Sequence, residues 1–145
     1  YFLNEFMAKH EIHLKDVTIH THISEDMVIS VDKEAMDLVF SNLAENAMHY
    51  STRRPEVEIE VWKEKIWACV RFSDSGIGIP KEHQRDIFNI FHRLPDSKAM
   101  WGSGTGMGLY VVKMIIKAHG GNIKVSSGKE NVGTSFLIRL PCLKI

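Results

Sequence analysis

The stretch GSGTGMGL, Gly102–Leu109, runs straight into YVVKMIIKA, Tyr110–Ala118, and its reading decides the fold. Glycines stand at every second position from Gly104 to Gly108 and open an apolar helical run. Lacking Cβ atoms, such a turn lets backbone N–H groups approach an anion, while the helix N-terminus adds partial positive charge. Read alone, it outlines a phosphate site. A second glycine turn, DSGIGIP at Asp74–Pro80, and an asparagine pair in NLAEN, Asn42–Asn46, precede it in the chain.

With 145 residues the chain suits one domain, 1–145, with a sizeable core. Its 18 Lys and Arg balance 18 Asp and Glu, so no net field draws it to nucleic acid or an anionic membrane, and no nucleic-acid partner is expected. Cys69 and Cys142 lack metal-ligand spacing, and Cys69 lies in an apolar run as a buried thiol would; a reduced, cytoplasmic setting fits. No apolar run approaches the ~20 residues that span a bilayer, and the start YFLNEFMAKHEIHL lacks the regions of a signal peptide. A membrane anchor of any parent protein is therefore expected outside these residues, and a start without Met suggests a fragment.

Val17–Ile23 alternates apolar and polar residues, Met27–Val31 follows after Ser24-Glu25-Asp26, and the two are expected to form a short antiparallel pair. Met36, Val39, Phe40, Leu43, Ala47 and Tyr50 recur at spacings of three and four, predicting an amphipathic helix over 33–50 with Asp32 as its N-cap. Val57, Ile59 and Val61 alternate with glutamates in a half-buried strand, Lys63-Glu64-Lys65 is expected to turn, and Ile66–Phe72 reads as a central strand buried on both faces. Pro80 suits the first turn of a helix to about Phe91. His92–Ser103 has no period and reads as a mobile loop; a helix over 107–119 then ends at Gly120-Gly121, and Ile123–Ser127 with Ser135–Leu140 form a closing hairpin. This order predicts an α/β two-layer sandwich with helices on one sheet face.

Asn42 and Asn46 are four apart, so both amides leave one helical face, which His49 and Tyr50 continue. An Asn oxygen is a hard neutral ligand suited to Mg²⁺, although either residue could equally decorate a helix. Asp74 sits where a buried strand meets a turn containing Gly76 and Gly78. A carboxylate there can accept from a donor edge such as adenine's exocyclic amine, with a flat ring against the glycine backbone; an ordinary Asp-Ser-Gly turn is the alternative.

Taken together, these residues resemble the ATP-binding catalytic domain of bacterial sensor histidine kinases, within the superfamily that includes DNA gyrase, Hsp90 and MutL. NLAENAMHYS looks like the family's N box, DSGIGIP its G1 box, IFNIFHRL its F box, GTGMGL its G2 box, and AHGGNIKVSSGKENVGTSF its last helix and closing strands. The resemblance implies a Bergerat-type fold with a mixed, mainly antiparallel sheet. It implies that Asn46 binds Mg²⁺, that Asp74 reads the adenine amine, and that Gly76, Gly78 and Ile79 shape the adenine pocket. Tyr50 would lie beside the nucleotide, while Gly104, Thr105, Gly106, Met107, Gly108 and Leu109 wrap the phosphates and Thr134 supports Asp74. The segment 92–103 corresponds to the ATP lid, with Trp101 either over the nucleotide or exposed.

Two positions depart from the family pattern. His49 stands where a phosphate-side lysine is common, and Ile90 where an arginine is common, leaving Arg93 and Lys98 as lid-side cations. Asn42 stands where the superfamily's ATPases carry a basic Glu, and Glu45 is rotated about 100° from Asn46 around the helix. The pattern therefore favours transfer over hydrolysis, and no general base is assigned. His10-Glu11 lacks the continuation of a phosphoacceptor box. The resemblance implies transfer of the γ-phosphoryl of Mg²⁺-ATP to a histidine on a separate dimerisation (histidine phosphotransfer) domain of the same parent, and from there to a response regulator. It also implies a cytoplasmic position in a membrane-anchored bacterial parent and a monomeric isolated fragment. A nucleotide-binding module that signals ATP occupancy without transfer is the second reading, and an ATPase of the gyrase or Hsp90 kind the third.

Overall fold

A computed structural model describes residues 5, 8–9, 15–24, 26–51, 53–90, 107–128 and 132–143. Its elements run β1 (Thr18–Ile23), α1 (Lys33–His49), β2 (Glu56–Glu64), β3 (Trp67–Asp74), a 3₁₀ turn (Lys81–His83), α2 (Gly108–Ala118), β4 (Asn122–Ser127) and β5 (Thr134–Pro141). The five strands form one sheet in the order β1-β2-β3-β5-β4. β1 runs parallel to β2 and every other pairing is antiparallel, as a mixed, mainly antiparallel sheet requires.

Alternation along the strands sets the two faces. Ile59, Phe72, Phe136 and Val125 share one register row across four strands, and Val61, Val70, Ile138 and Ile123 share the next. Both rows face the helices, where Met36, Val39, Phe40, Leu43, Ala44 and Ala47 of α1 and Val112 and Ile116 of α2 are buried. Phe88 meets Phe136 edge-on at 6.3 Å and ties the segment before α2 into the same core. The opposite face carries no helix among the described residues. It holds cross-strand pairs such as Arg71–Glu60 at 3.2 Å, and Arg71 also lies 4.9 Å from the Trp62 ring centre.

Asp32 caps α1 as expected, its side chain accepting from the Ala35 N–H at 2.9 Å. α2 ends on Gly120, whose φ of 73° is the left-handed conformation that stops a helix. Cys69 is buried, Cys142 half-buried, and both are free thiols.

Four expectations are corrected. β1 does not pair with 27–31; it lies parallel to β2, with Thr18 opposite Glu56 and Ile23 opposite Val61. The 27–31 segment makes a single bridge, Ile29 to Cys142, because the sheet supplies β1 with a longer partner. The β2–β3 turn is Lys65-Ile66 rather than 63–65: Glu64 still pairs with Trp67, and Lys65 takes the positive φ of 56° that a two-residue hairpin demands. Ile66, outside the strand, is exposed.

β3 is central, yet only one of its faces is under helices. Ala68, Val70, Phe72 and Asp74 are buried there, whereas Trp67, Arg71 and Ser73 on the other face are half-buried and only Cys69 is fully covered. The helix expected from Pro80 to about Phe91 is one 3₁₀ turn followed by further turns to residue 90. Gln84 folds back onto the Ile79 carbonyl at 3.1 Å, and only the adjacent Ile87 and Phe88 are buried, so no helical stripe stabilises a longer element. Phe91 and the loop 92–103 lie outside the described residues.

Candidate functional site

Three segments converge at one end of the sheet: the last turn of α1, the turn after β3, and the start of β5. Asp74, the last residue of β3, faces the helices and is only 8% exposed. Its Oδ1 accepts from the Gly76 N–H at 2.9 Å and from the Thr134 N–H at 3.3 Å. Among the described residues Oδ2 has no donor. Burial pushes the Asp74 pKa up, and the two N–H groups pull the other way. An outside donor reaching Oδ2 would complete the set.

Close packing holds the turn in place. The Ile77 N–H donates to the Tyr50 carbonyl at 2.9 Å, tying the end of α1 to the glycine turn. A Cβ on Gly76 would stand 2.6 Å from that carbonyl oxygen, so this crossing requires glycine. Gly78 has a φ of 77° and lies against the Gly133 carbonyl. Ile79 is buried in the core beside the turn.

Asn46 is half-buried and lies one turn before Tyr50, whose carbonyl meets the glycine turn, and the Asn46 carboxamide engages no described residue. His49 Nδ1 is buried without a hydrogen-bond partner among the described residues. Asn42 is held differently. Its Nδ2 donates to the Leu38 carbonyl at 2.8 Å, while its Oδ1 occupies the space next to Gly108, 2.7 Å from where a Cβ there would sit. Gly108 opens α2, whose N-terminus has no side-chain cap from Met107. Met107 is exposed, and the Leu109 side chain packs on the core. Gly104, Thr105 and Gly106, with Arg93, Lys98 and Trp101, lie outside the described residues. His10 does too.

Gly133, to which the sequence reading assigned no role, packs directly on Asp74. It has a φ of 70°, and a Cβ there would overlap the Asp74 carbonyl oxygen at 1.8 Å. Its only signal is a glycine immediately before a strand.

The donor set suits a hard cation in one respect. Among the described residues no three His, Cys, Asp or Glu side chains are grouped to hold a metal ion, whereas an Asn46 oxygen together with a ligand's own oxygens is a donor set that Mg²⁺ accepts.

A buried carboxylate beside a glycine turn and a helix N-terminus without a side-chain cap are features that nucleotide sites use. The model of the Histidine kinase-, DNA gyrase B-, and HSP90-like ATPase family matches residues 31–144, and the chain belongs to that family. Its ligand class is accordingly ATP. The sensor protein kinase WalK of Staphylococcus haemolyticus (strain JCSC1435) is 38% identical over 144 residues, covering 97% of this chain and 24% of WalK. The chain thus spans about a quarter of that relative.

Among solved structures, the catalytic domain of histidine kinase ThkA is 25% identical with a TM-score of 0.79, covering 97% of this chain and 91% of that one. The mycobacterial sensor histidine kinase MprB is 23% identical with a TM-score of 0.84 over 99% of this chain and 95% of that one, a likeness of fold. The fold and these relatives group the chain with the ATP-binding domains of sensor histidine kinases. No helix among the described residues is long and apolar enough to cross a membrane.

Proposed function

We propose that residues 1–145 act as one ATP-binding catalytic domain of a sensor kinase, handing the γ-phosphoryl to a histidine on a separate dimerisation domain, for relay to a response regulator. The observation that carries this reading is Asp74: a buried carboxylate with Oδ1 engaged by Gly76 and Thr134 and Oδ2 left for a donor. An exocyclic amine of adenine is such a donor, and the ring has the bare Gly76–Gly78 backbone to lie on. Tyr50 and Ile79 bound that pocket, and His49 stands on the phosphate side.

Asn46 would hold Mg²⁺, which neutralises charge on the phosphoryl oxygens when bound. Gly104, Thr105, Gly106, Met107, Gly108 and Leu109 would offer main-chain donors to the phosphates. Arg93 would add a lid-side cation. The chain's own contribution is then positioning and charge neutralisation, since a neutral imidazole nucleophile needs no general base from this side. Asn42 fits this assignment, because its carboxamide cannot deprotonate water. The reading carries with it a cytoplasmic location in a membrane-anchored parent.

Mixing the chain with the dimerisation domain of its parent and γ-labelled ATP tests the proposal. Phosphohistidine on that domain is the expected result. Tight ATP binding without label would instead support a nucleotide-sensing module, a reading favoured by the exposed Ile90 and by His49 in place of cations. Sustained phosphate release by the chain alone would point to an ATPase.

A further inference from the structure

α1 and α2 run antiparallel and are joined near both ends of α2. At the start of α2, the Asn42 carboxamide fills the space beside Gly108. At its other end, the Asp32 N–H donates to His119 Nε2 at 3.0 Å, while His119 Nδ1 lies 2.8 Å from the Ile115 carbonyl. Only one protonation state serves both bonds: Nδ1 must carry the proton and donate, and Nε2 must be bare and accept. The ring is then neutral. Asp32 to Asn42 spans about 15 Å of helix and Gly108 to His119 about 16 Å, at 1.5 Å per residue, so the two attachments pin matching lengths.

Resting on the nucleotide-site reading above, we propose that His119 is a positioning residue: its neutral ring clasps the end of α2 to the cap of α1 and fixes the axial register of the helix pair. That register sets the spacing between Asn46 on α1 and the N-terminus of α2, the two places where metal and phosphate would be held. His119 touches neither. It acts through the helices.

Asp32, Lys33 and Glu34 carry charge at the head of α1, and Lys117 in the last turn of α2. Protonating His119 removes the acceptor for the Asp32 N–H. The Asp32 carboxylate would then attract the ring, but it is already engaged with the Ala35 N–H, so recruiting it would uncap α1. Either outcome releases the register.

The test compares wild type, His119→Gln and His119→Leu for Mg²⁺-ADP affinity at one mildly alkaline pH, each variant first shown to be folded by a thermal melt. Gln keeps an acceptor near the Nε2 position, whereas Leu keeps none. His119→Gln should bind within about twofold of wild type, and His119→Leu about threefold or more weakly. A folded His119→Leu that binds like wild type, or a folded His119→Gln as weak as His119→Leu, would overturn the clasp while leaving the nucleotide site intact. No binding by wild type would overturn both. Long-range ¹H–¹⁵N spectra decide independently of the Leu variant: an unprotonated Nε2 at alkaline pH is expected, and an Nε2–H tautomer contradicts the proposal.

Discussion

Gly133 packs so closely on Asp74 that a Cβ at residue 133 would stand 1.8 Å from the Asp74 carbonyl oxygen. The next residue, Thr134, donates its N–H to the carboxylate of the same aspartate. One two-residue step therefore fixes both the main chain and the side chain of Asp74. Gly133→Ala would collide with β3 and must also adopt a φ of 70°. We expect nucleotide affinity to fall by about tenfold or more, roughly 1.4 kcal/mol, together with a lower Tm. Calorimetry with ADP and a thermal melt check both.

Asp74→Asn should separate stability from binding. Burial raises the folded pKa of Asp74 above its value in the unfolded chain, the Gly76 and Thr134 N–H groups only partly opposing it. Between those two values the folded chain holds more protons than the unfolded one, so stability falls as pH rises through that window, and the cost is fully present above the folded value. Asparagine carries no such cost and still offers Oδ1 to both N–H groups. The variant should be as stable as wild type or more so near neutrality, with the difference vanishing below the unfolded value, yet bind adenine nucleotide at least about tenfold more weakly. Denaturant titrations across pH and ADP calorimetry read the two effects separately.

Asn46→Ala should weaken binding only where metal contributes. In Mg²⁺ we expect ADP affinity to drop by about tenfold, whereas in EDTA the variant and wild type should agree within about twofold. A loss of the same size in both conditions would show that Asn46 serves the fold or the nucleotide directly.

Leu43 is fully buried between α1 and the sheet, one turn from Asn46. Leu43→Ala should cost about 2–5 kcal/mol by urea denaturation, the range for a core leucine that leaves a cavity. A change under about 1 kcal/mol would mean that α1 is not anchored where the core places it.

Much of the architecture is readable from local pattern. The stripe from Met36 to Ala47, the Asp32 cap, the alternation of Val57, Ile59 and Val61, and the Gly120 stop depend on neighbours three or four residues away or on backbone conformation, and all four appear in the structure. What escaped depends on distant partners. Whether β1 pairs with residues 27–31 or with β2 is decided by the sheet, not by the alternation within β1. Whether Pro80 starts a helix is decided by the Gln84–Ile79 bond and by the core contact of Phe88.

The candidate site follows the same division. Asp74, Gly76 and Gly78 stand in one contiguous turn and could be recognised together. Gly133 and the Asn42–Gly108 contact join residues about 60 positions apart, a distance that spacing along the chain does not encode.

The central claim is that Asp74 reads the exocyclic amine of adenine, and nucleotide preference tests it most directly. Calorimetry of the folded chain with Mg²⁺-ADP and Mg²⁺-GDP should show one-to-one binding of ADP and at least about tenfold weaker binding of GDP, whose six-position presents an acceptor to the carboxylate. Equal affinity for the two, or no heat with ADP in a natively folded sample, would contradict the account.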